Sequence, residues 1–169
     1  MRRFFTRSPR PACLRPATLA DAPALADIHA GSFAHPWSIP SFEAMLADRA
    51  VHGHVAETTG PIGFILSRIA ADEAEILSVA VHPKSRGAGI GARLVAANLD
   101  ALARARVSHV FLEVESNNQA ALAVYRAAGF AMIGTRPGYY RYSDGTRHDA
   151  VMMRLAMAGR MITAPLADA

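Results

Sequence analysis

Apolar residues recur along this chain with two periods, and the switches between them outline the elements. Within 18–33, Leu25, Ile28 and His29 share one face at helical spacing, and Asp21 and Pro23 suit a first turn. A loop follows over 34–38. Ser38, with Pro40 close behind, predicts the start of a short helix through Phe42, Met45 and Leu46. Residues 14–17 predict an edge strand, since Pro16 has no N–H to give to an interior ladder. Two strands, 51–57 and 62–69, flank the hairpin signal Thr58-Thr59-Gly60-Pro61. An apolar strand over 75–81 leads into a helix from Gly87, with Val95, Leu99 and Leu102 on one face. A strand over 107–115 precedes a helix capped by Asn118 and running through Tyr125, with Gly129 placed to end it. Two last strands, 131–135 and 149–157, are joined through the turn Ser143-Asp144-Gly145-Thr146.

The predicted order is strand, two helices, three strands, helix, strand, helix, two strands. That is a mixed α/β (α+β) domain without internal repeats, and 169 residues suit a single one. An apolar share of 51% permits a packed core. No apolar run approaches the roughly 20 residues of a membrane span, so no membrane partner is expected. The single Cys13 excludes an intramolecular disulfide framework and fits a reducing, cytoplasmic setting.

Net charge is +4, with Arg2, Arg3, Arg7 and Arg10 crowded near the start. Phe4-Phe5 is too short for a secretory apolar region. Residues 1–12 therefore read as a disordered basic tail and 158–169, with Pro165, as a second tail, leaving 13–157 as the domain. Beyond the first tail no basic stripe interleaves with aromatics, so no specific nucleic-acid partner is expected.

The segment Leu77-Ser78-Val79-Ala80-Val81-His82-Pro83-Lys84-Ser85-Arg86-Gly87-Ala88-Gly89-Ile90-Gly91 carries the chemistry. A buried strand turns tightly into a helix through alternating glycines. Unpaired N–H groups and the helix dipole at such a start attract anions, and glycines let a phosphate approach. A Walker loop is excluded, because Ala92-Arg93-Leu94 follows instead of Gly-Lys-Ser/Thr. The dinucleotide fingerprint is excluded too, since the spacing is G-x-G-x-G. A bare helix-capping turn remains the bland alternative. His52-Gly53-His54 places two imidazoles on one strand face, but no cysteine or carboxylate completes a metal site, and exposure to solvent is the expected reading. His82 reads as a turn residue.

The pattern Arg86-x-x-Gly89-x-Gly91 after a β-rich run resembles motif A of the GNAT N-acetyltransferases. Asn118-Gln119-Ala120-Ala121-Leu122 with Tyr125, Gly129 and Phe130 resembles motif B of that family. The resemblance extends over about residues 15–157. It implies the GNAT acyl-CoA N-acyltransferase fold, a central, mostly antiparallel twisted sheet flanked by helices. It also implies acetyl-CoA as co-substrate, direct transfer to an amine, and no metal. The coenzyme would be held by Val79, Ala80, Val81, Arg86, Gly87, Ala88, Gly89, Ile90, Gly91, Ala92 and Asn118, with the pantetheine arm beside Val79–Val81 like an added strand.

Pro36-Trp37-Ser38, Leu112-Glu113-Val114, Ala123-Val124-Tyr125, Tyr139-Tyr140 and Asp144-Gly145 are similar to the RimI-type branch. That branch acetylates protein N-termini, notably alanine on a small-subunit ribosomal protein. The likeness implies Glu113 as general base and Tyr125 as general acid. Trp37, Tyr139 and Tyr140 are expected on loops shaping the acceptor slot. Two positions depart from the branch. Arg141 stands where many relatives carry proline, and Glu115 where an arginine is frequent. Read from the residues alone, Glu113 is also a solvent-facing strand carboxylate and Tyr125 a packed helix residue. A small-molecule amine acetyltransferase and a non-catalytic RNA- or protein-binding module are the competing functions.

Overall fold

The computed structural model describes residues 11–158, so the tails expected over 1–12 and 158–169 lie almost wholly outside it. Its elements are β1 (Cys13–Pro16), α1 (Ala22–Ala30), α2 (Ile39–Ala47), β2 (Val51–Glu57), β3 (Pro61–Ala70), β4 (Glu73–Val81), α3 (Ile90–Arg104), β5 (His109–Glu115), α4 (Gln119–Ala127), β6 (Ala131–Arg141) and β7 (Arg147–Ala156). The order matches the one predicted. All seven strands form one sheet in the order β1-β2-β3-β4-β5-β7-β6. Every neighbouring pair is antiparallel except β4 and β5. No helix among the described residues is long and apolar enough to cross a membrane.

Helices cover both faces. On one, α3 buries Ile90, Leu94, Val95, Leu99 and Leu102 against Ile65, Val110, Leu112 and Met153, and α4 adds Leu122 and Tyr125. The apolar stripe of α3 falls at i, i+4, i+5, i+9 and i+12, the spacing of one helical face. On the other face, Leu25 and Ile28 of α1 and Phe42 of α2 enclose Val55, Phe64 and Leu66.

Strand β4 is irregular in two ways, and both open the sheet at its C-terminal half. Its register against β3 pairs Leu66 with Ser78 and Ser67 with Ile76, leaving Leu77 as an extra residue. A bulge of this kind reverses which residues face which side. Ala74 and Ile76 pack on the α3 side, and so do Val79 and Val81, while Ala80 turns to the α1 side. On its other edge β4 pairs with β5 only at Glu73, Ala74 and Glu75. From Ile76 to Val81 that edge has no strand partner, and the two strands splay apart.

Three expectations are corrected. The helix expected over 18–33 begins at Ala22, behind a 3-10 turn at Leu19–Asp21. The Asp21 carboxylate holds that turn, accepting from the Thr18 N–H at 2.8 Å and taking the Arg15 guanidinium at 2.7 Å. Tyr139 and Tyr140 lie on β6, which extends to Arg141, and not on a loop. His52 and His54 are half-buried instead of exposed, and His54 Nδ1 is enclosed without a hydrogen-bond partner.

His29 is the buried titratable group of the α1 layer, only 3% exposed. Its ring stacks on Phe33 at 4.1 Å and Trp37 at 4.8 Å between centroids, and its Nδ1 accepts the Trp37 N–H at 3.2 Å. Burial lowers its pKa from 6.5 to about 4. The unfolded chain therefore binds a proton at His29 below about 6.5 while the folded one does not until about 4, so stability falls as pH drops through that window. His54 is shifted in the same direction, first by burial. Urea midpoints measured between pH 7 and pH 4.5 should fall for the wild type and fall less steeply for His29→Gln. Parallel profiles for the two proteins would refute this account of His29.

Candidate active site

The turn after β4 is built to leave main-chain donors free. His82 Nδ1 accepts the Lys84 N–H at 3.3 Å, and Pro83–Ser85 forms one 3-10 turn. Gly87 and Gly89 then adopt φ of +80° and +72°, a region that side-chain-bearing residues avoid, and Gly89 caps α3. Among the described residues none of the N–H groups from Gly87 to Ala92 donates to the rest of the chain. A Cβ built on Gly87, Gly89 or Gly91 would meet nothing within 4 Å. These glycines therefore face open space, and the space is a cavity of about 480 Å³. The donor set and the room fit a phosphate-bearing ligand.

Arg86 is not a free cation over this cradle. Its Nε donates to the Val81 carbonyl at 3.0 Å and its Nη2 to Ser32 Oγ at 2.9 Å, bolting the turn to β4 and to the end of α1. Of the expected coenzyme residues, Val79, Ala80, Val81, Arg86, Gly87, Gly89, Ile90, Gly91, Ala92 and Asn118 line the cavity, and Ala88 does not. Asn118 is the N-cap of α4, its Oδ1 accepting the Ala121 N–H at 3.1 Å.

A second cavity of about 460 Å³ opens where β4 and β5 splay. It holds Glu113, Tyr139 and Tyr140, and it shares Ser32, Phe33, Val79, Asn118, Ala121 and Tyr125 with the first. Tyr125 is 8% exposed, with its ring edge-on to Phe130, and burial pushes its hydroxyl up to about 12. Tyr140 is also raised to about 12, first by burial and then by the charge of Glu113. Trp37 lines neither cavity; it stacks on His29 in the α1 layer.

Several groups at this site escaped the sequence. The Arg136 guanidinium, on β6, pairs with Glu113 at 2.9 Å and lies 5.5 Å from the Tyr139 ring centroid. Glu115 accepts the Tyr142 hydroxyl at 2.7 Å and pairs with His148 Nδ1. That Glu113 and Glu115 share a strand face follows from the period of two. Their partners come from 23 to 33 residues further along the chain and left no local signal. Ser32 and Phe33, just past α1, were likewise missed.

Comparison with known proteins gives this geometry a family. The model of the acetyltransferase (GNAT) family matches residues 22–130. N-alpha-acetyltransferase RimI of Mycobacterium tuberculosis is 36% identical over 157 residues, covering 89% of this chain and 96% of the relative. The crystal structure of the ribosomal-protein-S18-alanine N-acetyltransferase from Escherichia coli superposes with a TM-score of 0.80 at 29% identity, over 86% of this chain and 94% of that one. The Salmonella typhimurium protein yncA, solved with its cofactor acetyl-CoA, shares the fold at a TM-score of 0.78 and 22% identity, over 94% of this chain and 100% of its own. With its free-amide cradle opening onto a tyrosine-walled slot, this chain belongs to the GNAT acetyltransferase family.

Proposed function

We propose that the chain transfers acetyl from acetyl-CoA directly to the N-terminal α-amine of a protein, an alanine-initiated small-subunit ribosomal protein being the leading acceptor. The observation that carries the reading is the meeting of two cavities at Val79, Asn118, Ala121 and Tyr125. One has free main-chain amides, the other two carboxylates, Glu113 and Glu115. The names of the bacterial relatives support the acceptor class, and a ribosomal acceptor together with a lone cysteine supports a cytoplasmic reaction.

The amides of Gly87–Ala92 would hold the diphosphate, and the unpaired edge of β4 would run beside the pantetheine arm. Acetyl-CoA supplies an acyl group already activated by a thiol leaving group. Main-chain N–H groups near Val79 and Ala80 would meet the carbonyl oxygen as charge builds on it. A peptide amine titrates near 7.7–8.0, so a carboxylate suffices to take its proton, and Glu113 faces the slot to do so.

Burial raises the Tyr125 hydroxyl to about 12, so it stays protonated at neutral pH. Tyr125 would donate a hydrogen bond to the departing sulfur and supply its proton as general acid.

Two measurements test the reading. Tyr125→Phe and Glu113→Gln should each lower kcat with an Ala-initiated peptide by about 10²-fold or more, while the Kd for coenzyme A stays within about twofold. Unchanged turnover in both variants would remove the mechanism. An acceptor panel of short peptides, polyamines and aminoglycosides should show turnover with the peptides; turnover confined to the small amines would replace the acceptor.

Gly91→Ala separates strain from access. Gly91 lacks the positive φ of Gly87 and Gly89, so alanine should raise Tm, worth up to about 1 kcal/mol in a helix. Its methyl would enter the cradle and should weaken coenzyme A binding, as calorimetry would show. Unaltered affinity would mean that this helix start does not grip the coenzyme.

A further inference from the structure

The acceptor cavity has one carboxylate more than proton removal needs. Glu113 and Glu115 are two positions apart on β5 and both line the cavity. The strand rise puts their Cα atoms about 6.6 Å apart. Glu113 is already matched by the Arg136 guanidinium at 2.9 Å. Glu115 has no guanidinium or ammonium partner among the described residues. It is held by the Tyr142 hydroxyl, 2.7 Å from each of its oxygens, and by His148 Nδ1, which Asn117 Nδ2 also approaches at 3.0 Å.

Two donors leave about half of a carboxylate's four acceptor sites open. The Glu115 side chain is 19% exposed, so water screens it less than a surface charge. The Tyr142 hydroxyl is pushed up to about 12, chiefly by its hydrogen bond to Glu115. The other charged or titratable groups of the cavity wall besides Glu113 are Arg141 and His35, together with the tyrosines. Arg141 and His35 are exposed, and His35 Nε2 bonds the Arg141 carbonyl. Their fields are spent largely in solvent, and that of Glu115 in the slot.

We propose that Glu115 is a specificity residue, selecting protein N-termini whose second residue is lysine or arginine. This rests on the chain being an N-terminal acetyltransferase. With the α-amine engaged at Glu113, about 6.6 Å remain to Glu115, about two residue rises of an extended peptide. The long side chain of residue two covers that span, and its apolar stem can lie along Tyr139 and Tyr140 while its head meets the carboxylate. Tyr142, itself on the cavity wall, and His148 fix the carboxylate's orientation.

The test is a set of peptides identical except at position two: Ala-Arg, Ala-Lys, Ala-Ala and Ala-Glu. For the wild type, kcat/KM should be at least tenfold higher for the Arg and Lys peptides than for Ala-Ala, mainly through KM, and lowest for Ala-Glu. Glu115→Gln should shrink the Arg-to-Ala ratio to within about twofold, Glu115→Asp should retain it, and Glu115→Arg should favour the Ala-Glu peptide. Equal kcat/KM across the wild-type series overturns the proposal without any variant, and so does a ratio that survives in Glu115→Gln. Turnover of all four peptides at one rate sinks the selectivity alone. Turnover of none sinks the N-terminal reading with it.

Discussion

The parting of β4 from β5 is the constraint from which the site derives. Parallel pairing lasts for Glu73, Ala74 and Glu75 and then stops. An unpaired strand edge inside a sheet costs hydrogen bonds, and the fold tolerates it because each strand is secured on its far side. β4 runs its whole length against β3, and β5 is paired from His109 to Glu115 with β7. The opening is thus held by two rigid antiparallel units, with the α3 core wedged beneath. The bulge at Leu77 belongs to the same device. Without it, Val79 and Val81 would face α1, and the wall shared by the two cavities would lose Val79.

Burial at the meeting point sets the chemistry. Tyr125 must reach both cavities, and it does so from the packed face of α4, which keeps its hydroxyl protonated far above neutral pH. A group so reluctant to ionise stays a dependable hydrogen-bond donor. In the proposed reaction proton removal would fall to Glu113 on the neighbouring strand, which Arg136 holds from β6, while Tyr142 holds Glu115. The donor side is built on backbone and small residues, the acceptor side on charged and aromatic side chains. The first side suits a ligand common to a family; the second is where individual chains can differ.

That division explains what the sequence disclosed. The cradle was legible because its signal is local: a strand, two glycines with positive φ, and a helix start within fifteen positions. The order of all eleven strands and α-helices was legible for the same reason. Arg86, expected at the coenzyme, lines the cradle cavity, and what the sequence hid is that its guanidinium bonds Val81 and Ser32, the latter 54 residues away. Trp37 was expected at the acceptor, but His29 offers it a stacking partner and an acceptor for its N–H. Strand β6 outran its prediction because Pro137 and Gly138 look like a terminator. The structure absorbs them in a register shift between Arg136 and Tyr140, with Asp149 Oδ1 accepting the Gly138 N–H at 2.8 Å.

The same long-range contacts tie the two cavities together mechanically. Arg86 grips Ser32, and Phe33 beside it lines both cavities while its ring stacks on His29. His29 in turn holds Trp37 at the head of the segment leading into α2, and His35 in that segment reaches across to the Arg141 carbonyl at the end of β6. A continuous path thus runs from the cradle turn, through the end of α1, to the far rim of the acceptor slot. Each link is a stacking contact or hydrogen bond with defined geometry, so the position of Phe33 is determined by the cradle on one side and by the aromatic layer on the other. The cradle turn and the acceptor wall are thus anchored on the same two residues, Ser32 and Phe33.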